Sequence, residues 1–128
     1  MSLADTRVFV VEDEALLLMA LEDMLEDLGC ALVASAQHVA DAIEKAQALE
    51  FDIAILDVNV NGRRIDPVAE ALARRGIPFV FVTGYGRSSL PAALRDRPLL
   101  AKPYQAADLE TALANALRRP DTDRPRAA

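Results

Sequence analysis

At 128 residues, with 52% hydrophobic and 27% charged side chains, the chain has the make-up of one soluble globular domain large enough to bury a core without staples. A net charge of −6 weighs against general nucleic-acid binding, and the single cysteine, Cys30, excludes an internal disulfide. No apolar run approaches the ~20 residues of a membrane span. Met1 to Thr6 carries no signal-peptide pattern, so the expected setting is reducing and cytoplasmic, with Cys30 a small buried hydrophobe. Only 5% of residues are aromatic, which leaves Leu, Val, Ile and Ala to build the core.

The charge is uneven. Met1 to Arg64 holds 13 acids against 4 bases, a net of −9, whereas Ile65 to Ala128 holds 7 acids against 10 bases, a net of +3. Arg7 to Val11 is β-branched and apolar on both faces, as a central parallel strand requires. Glu12-Asp13-Glu14 opens a helix to about Leu28, with Leu16, Leu17, Met19, Ala20, Met24 and Leu28 as its apolar stripe and Gly29 just past its end. Its acids (Glu14, Glu22, Asp23, Glu26, Asp27) form a solvated face or a docking surface for a basic partner. A short strand over Ala31 to Ala34 follows, then a helix over about Val39 to Leu49 with Ala42, Ile43, Ala46 and Leu49 inward. His38 stands solvated at its start.

Phe51 to Leu56 reads as the third strand. Val58 to Arg64 is a loop containing the turn pair Asn61-Gly62, and Asp66-Pro67 reads as a cap and first-turn proline of a helix ending at Gly76. Pro78 to Val82 is the fourth strand, with proline tolerated at its first position. After the loop Thr83-Gly84-Tyr85-Gly86, Pro91 to Arg95 supports only a short, weak helix. Pro98 to Ala101 is the fifth strand, and Gln105 to Arg118 the last helix, with Leu109, Leu113 and Leu117 at regular spacing. Residues 1–118 thus form the domain, and Arg119 to Ala128 is expected to fray.

Five alternations of strand and helix call for a parallel sheet covered on both faces, in which ligands bind beyond the carboxyl ends of the strands. The polar residues gather there. The first strand ends in Glu12-Asp13, the third in Asp57, the fourth in Thr83 and the fifth in Lys102, though the strands themselves are almost purely apolar. Crowded carboxylates raise one another's pKa, and a hard divalent cation such as magnesium relieves them. Lys102 supplies a point charge for Asp57 or a phosphoryl oxygen, Thr83 a hydroxyl donor, and Asp57 a carboxylate able to form an acyl phosphate. The set reads as a site for accepting a phosphoryl group. Without clustered Cys or His, zinc is not expected.

The residues Val8-Phe9-Val10-Val11-Glu12-Asp13-Glu14, Ile55-Leu56-Asp57, Thr83 and Lys102-Pro103 resemble the receiver domain of two-component response regulators, over roughly Arg7 to Arg118. The resemblance implies a doubly wound, flavodoxin-like sheet in the order 2-1-3-4-5 with five helices. It further implies a phosphoryl group on Asp57, donated by a sensor histidine kinase or a histidine phosphotransfer protein, and a cis Lys102-Pro103 peptide. Glu12, Asp13, Asp57 and the Asn59 backbone carbonyl are the magnesium ligands it implies, with Thr83 and Lys102 on the phosphoryl group. Pro78-Phe79-Val80-Phe81-Val82-Thr83-Gly84-Tyr85 is similar to the signature of the "FAT GUY" receivers, with Val82 for the usual alanine. Leu99 stands where many receivers have an aromatic switch residue, so the Gly84-Tyr85-Gly86 loop and the weak helix after it are the expected carriers of the change.

The expected role is a single-domain, non-enzymatic phosphorelay receiver that signals through a downstream protein, not DNA or a membrane, with a phosphorylation-dependent dimer left open. Arg87, Arg95, Arg97, Arg118 and Arg119 mark the expected output surface. Two other readings stand beside it. One is a small phosphohydrolase with Asp57 as nucleophile, although Asn59 occupies the place of the usual second acid. The other is an unphosphorylated interaction module on the same fold.

Overall fold

The computed structural model describes residues 3–118; the predicted fraying of Arg119 to Ala128 lies outside them. Five parallel strands, β1 (Arg7–Val11), β2 (Ala31–Ala36), β3 (Ile53–Asp57), β6 (Phe79–Thr83) and β7 (Leu99–Ala101), form one sheet in the order β2-β1-β3-β6-β7. In order of appearance along the chain this is the expected 2-1-3-4-5 arrangement.

Period-2 alternation assigns each strand residue to a face. Phe9, Val11, Ala54, Leu56, Phe79 and Phe81 pack beneath helices α2 (Val39–Ala48) and α3 (Asp66–Arg75). Val8, Val10, Ile53, Ile55, Val80, Val82 and Leu100 pack beneath α1 (Ala15–Asp27) and α4 (Ala106–Leu117). Because β1 and β3 are covered on both faces, neither can show the polar alternation of a half-exposed strand. That is why they read as continuous apolar runs.

The inward stripe expected of α1 is wrong in part. Leu21 and Leu25 are buried, with Leu18, Met24 and Leu28 packed partly against them, whereas Leu16, Leu17, Met19 and Ala20 face solvent. The helix is apolar on two sides, and only the Leu18-Leu21-Leu25-Leu28 spacing matches one face of a 3.6-residue repeat. Leu49 is likewise exposed, lying beyond the end of α2, where Val39, Ala42 and Ala46 are the buried set.

Three further expectations are corrected. The second strand continues through Ser35 to Ala36. The 58–64 loop contains a hairpin, β4 (Asn59–Val60) paired antiparallel with β5 (Arg63–Arg64), whose turn residues Asn61 and Gly62 take φ values of 54° and 77°. Positive φ at both central positions is the turn whose twist suits a two-residue hairpin, and an Asn-Gly pair adopts it readily. Asp66 makes no capping hydrogen bond; Ile65 is the N-cap and the Asp66 carboxylate pairs with Arg64.

The chain has four α-helices among the described residues, where the resemblance implied five. Two 3-10 turns, Arg87–Ser89 and Ala92–Leu94, stand where the short helix was expected. Pro91 lacks an N–H and separates the two turns, so no continuous helical ladder can form across them. Leu90 and Leu94 anchor this stretch to the core.

Candidate functional site

The sheet ladder extends past the strand ends and holds the rim in register. Glu12 N–H donates to the Ala36 carbonyl at 3.0 Å, Val58 N–H to Val82 at 3.0 Å and Lys102 N–H to Thr83 at 3.0 Å. Glu12, Asp57 and Lys102 share the alternation parity of Val10, Ile55 and Leu100, so all three leave the sheet toward the α1–α4 side. Lys102 Nζ reaches Asp57 Oδ2 at 2.9 Å and Glu12 Oε1 at 3.8 Å.

Each acid is also fixed by a backbone donor. Asn59 N–H bonds Asp57 Oδ1 at 3.2 Å, Glu14 N–H bonds Glu12 Oε2 at 3.2 Å, and Asn61 N–H bonds Asp13 Oδ2 at 2.8 Å. Ligand oxygens of Glu12, Asp13 and Asp57 all lie within 4.8 Å of one another.

The electrostatics follow from burial. Glu12 is buried, and desolvation, aided by the negative charge of Asp57, pushes its carboxyl up to about 7. Partial burial pulls Asp13 the same way, but the Asn61 N–H and its contact with Glu12 outweigh it and hold that carboxyl below its usual value. Lys102 is disfavoured as a cation by burial, yet its hydrogen bond and charge attraction to Asp57 raise its pKa. One lysine facing three acids leaves an excess of negative charge on oxygen ligands. That donor set fits a hard divalent cation such as magnesium.

Thr83 is buried at the end of β6, and its hydroxyl accepts the Tyr85 N–H at 3.0 Å. Asp13, Asp57, Asn59, Thr83 and Lys102 line one cleft of about 500 Å³. The five side chains expected to converge from four strand ends therefore do so, and the Lys102–Pro103 peptide is cis, as the resemblance implied.

The response regulator receiver domain family matches residues 8–114 of this sequence. The chain belongs to that family.

Among solved structures, the receiver is similar to SdrG from Sphingomonas melonis Fr1, at 46% identity and a TM-score of 0.79, over 91% of this chain and 99% of that one. A BeF3-activated conformation of SdrG, from Pseudomonas melonis Fr1, also matches at a TM-score of 0.75, with 46% identity over 89% of this chain and 98% of that one. The transcriptional regulatory protein PdtaR of Mycobacterium tuberculosis strain H37Rv is 34% identical over 117 residues, which is 88% of this chain and 57% of PdtaR. The chain thus spans little more than half the length of that curated relative.

Two receiver residues in the cleft escaped sequence reasoning: Arg64 and Ser89. Arg64 had a legible signal. A two-residue Asn61-Gly62 hairpin turn pairs Asn59 with Arg64, placing Arg64 beside the residue that follows Asp57 by two. Ser89 had none, because it arrives through an irregular segment. The expected arginine surface is also modified: Arg97 is buried with its guanidinium over Phe79 at 4.8 Å, and Arg87 reaches the carbonyls of Arg95 and Arg97. Arg119 lies outside the described residues. No helix among those residues is long and apolar enough to cross a membrane.

Proposed function

We propose that this receiver accepts a phosphoryl group on Asp57 from the phosphohistidine of a sensor histidine kinase or a histidine phosphotransfer protein. The observation that carries the reading is the buried Asp57 carboxylate, paired at 2.9 Å with Lys102 inside a three-acid cluster. A carboxylate oxygen of Asp57 attacks phosphorus in line; the P–N bond breaks, and the donor imidazole leaves with the electron pair. Glu12, Asp13, Asp57 and the Asn59 backbone carbonyl would hold magnesium, which when bound would supply positive charge near the phosphoryl oxygens. Lys102 neutralises charge on Asp57 and then on the phosphoryl group, and Thr83 donates its hydroxyl proton to a phosphoryl oxygen. The β3 ladder holds Asp57 in place throughout, so positioning rather than acid–base chemistry does most of the catalysis. The receiver catalyses only its own phosphorylation and dephosphorylation. Water attack on the acyl phosphate returns inorganic phosphate and the carboxylate.

The exposed start of α1 supports the partner assignment. Leu16 and Met19 are 80% and 63% exposed, and Leu17, Ala20 and Met24 continue into an apolar groove with Pro103, Tyr104 and Lys102. Lys102 borders both that groove and the acidic cleft, so a donor helix lying on α1 brings its histidine to Asp57. Output through a downstream protein, in a cytoplasmic setting, completes the reading.

Incubation with magnesium and acetyl phosphate tests it. Intact mass should rise by one phosphoryl group, labile to base, and Asp57→Ala should abolish the gain. Continued turnover of phosphoesters without an adduct would instead identify a hydrolase, and no adduct from acetyl phosphate or from kinases an unphosphorylated module.

A further inference from the structure

The hydroxyl of Thr83 is already engaged. Ser89 Oγ donates to the Gly86 carbonyl at 2.6 Å, and a hydroxyl has one proton to give. In the 3.1 Å contact between Thr83 Oγ1 and Ser89 Oγ, Thr83 must therefore be the donor. Tyr85 N–H occupies an acceptor site on the same Thr83 oxygen. The single proton of Thr83 thus points at Ser89, and it cannot simultaneously bond a phosphoryl group on Asp57.

Ser89 also receives a second cleft residue. Arg64 Nη2 donates to the Ser89 carbonyl at 2.8 Å, while Arg64 Nε holds Asp66 at 3.1 Å. The last residue of the Arg87–Ser89 turn is therefore tied to the site through its side chain by Thr83 and through its backbone by Arg64. Beyond it the chain up to Arg97 contains no α-helix; Leu90 and Leu94 pack on the core, and its own arginines bond its backbone. Arg87 bonds the Arg95 and Arg97 carbonyls, and Arg95 bonds the Ser88 carbonyl. Such a segment moves as a unit when its tether to the site changes.

We propose that Ser89 is the positioning residue that couples occupancy of Asp57 to the 86–97 segment, by competing with the phosphoryl group for the proton of Thr83. This rests on the phosphorylation reading above. In the unphosphorylated chain Thr83 is bonded to Ser89 and the turn is held against β6. An anionic phosphoryl oxygen is the stronger acceptor, and once it accepts the Thr83 O–H hydrogen bond the side-chain tether of Ser89 is gone. The turn then rearranges about Leu90. Leu99 need not rotate for the signal to leave.

The test uses beryllofluoride with magnesium as the phosphoryl mimic, on the full chain and on Ser89→Ala and Ser89→Thr. Removing the competing acceptor should tighten beryllofluoride binding to Ser89→Ala by roughly 3- to 10-fold, the worth of one hydrogen bond. A residue with only a structural role would leave binding unchanged or weaken it. In the metal-free, beryllofluoride-free state, the amide signals of Ser88, Leu90 and Leu94 in Ser89→Ala should already lie part-way toward their activated positions. Ser89→Thr, which restores the hydroxyl, should return both affinity and signals toward the parent chain. Unchanged or weaker binding by Ser89→Ala, or unchanged resting amides, overturns the proposal. Should the parent chain bind no beryllofluoride and take no phosphoryl group, the phosphorylation reading fails, and the resting-state spectra of Ser89→Ala still judge the tether.

Discussion

Lys102 Nζ sits 2.9 Å from Asp57 Oδ2 and 3.8 Å from Glu12 Oε1, although 45 residues separate the lysine from Asp57. One cation thus faces two of the three clustered acids. Lys102→Ala should slow uptake of phosphate from acetyl phosphate by about 100-fold, the scale expected for losing one preorganised charge at a transition state. Magnesium binding should tighten in the same variant, because its competitor for the acids is gone. Time-resolved intact mass and isothermal titration measure the two effects, and weaker magnesium binding would contradict this assignment of Lys102.

Glu12 gives the metal-free protein a pH dependence. Its folded pKa, about 7, lies above the ordinary 4.5, because burial penalises the carboxylate. The stability it contributes is full below the unfolded value and is lost as pH rises from about 4.5 through about 7. Thermal melts without divalent metal should therefore show a lower Tm at about pH 8 than at about pH 5, and Glu12→Gln should flatten that part of the slope. Added magnesium should restore the Tm of the parent chain at the higher pH.

Gly62 sits at φ +77°, and a Cβ there would meet nothing within 4 Å. Gly62→Ala should therefore cost only the backbone penalty of a left-handed residue, about 1–2 kcal/mol, in urea unfolding. The same substitution should loosen the Asn59–Arg64 pairing, seen as loss of their cross-strand NOE.

The two apolar sides of α1 should separate cleanly. Leu25→Ala, in the core, should lose about 2–5 kcal/mol of stability, whereas Leu16→Ala on the exposed side should change it by less than about 0.5 kcal/mol. Leu16→Asp with Met19→Asp should leave uptake from acetyl phosphate intact while reducing uptake from a phosphorylated kinase domain. Equal loss from both donors would remove α1 from the docking surface.

The residues of the rim are legible in the sequence alone. Glu12, Asp13, Asp57, Thr83 and Lys102 each follow an apolar run, and alternating strands and helices bring successive strand ends to one edge. That inference needs only local pattern and the handedness of parallel crossovers. The sheet order followed from the family resemblance, not from the pattern alone.

Tertiary structure decided what local pattern leaves degenerate. An α1 apolar on two sides can bury either, and the sheet selected Leu21 and Leu25, leaving Leu16 and Met19 outside. The 84–97 stretch is too broken by Gly84, Gly86 and Pro91 for a continuous helix, so its path is set by the ties of Ser89 to Thr83 and Arg64 and by its buried leucines. Ser89 entered the cleft by that path. A hydrogen bond between residues six apart in an irregular loop leaves no periodic trace in the sequence, and the direction of the Thr83 proton becomes deducible only once Gly86, Ser89 and Thr83 occupy known positions.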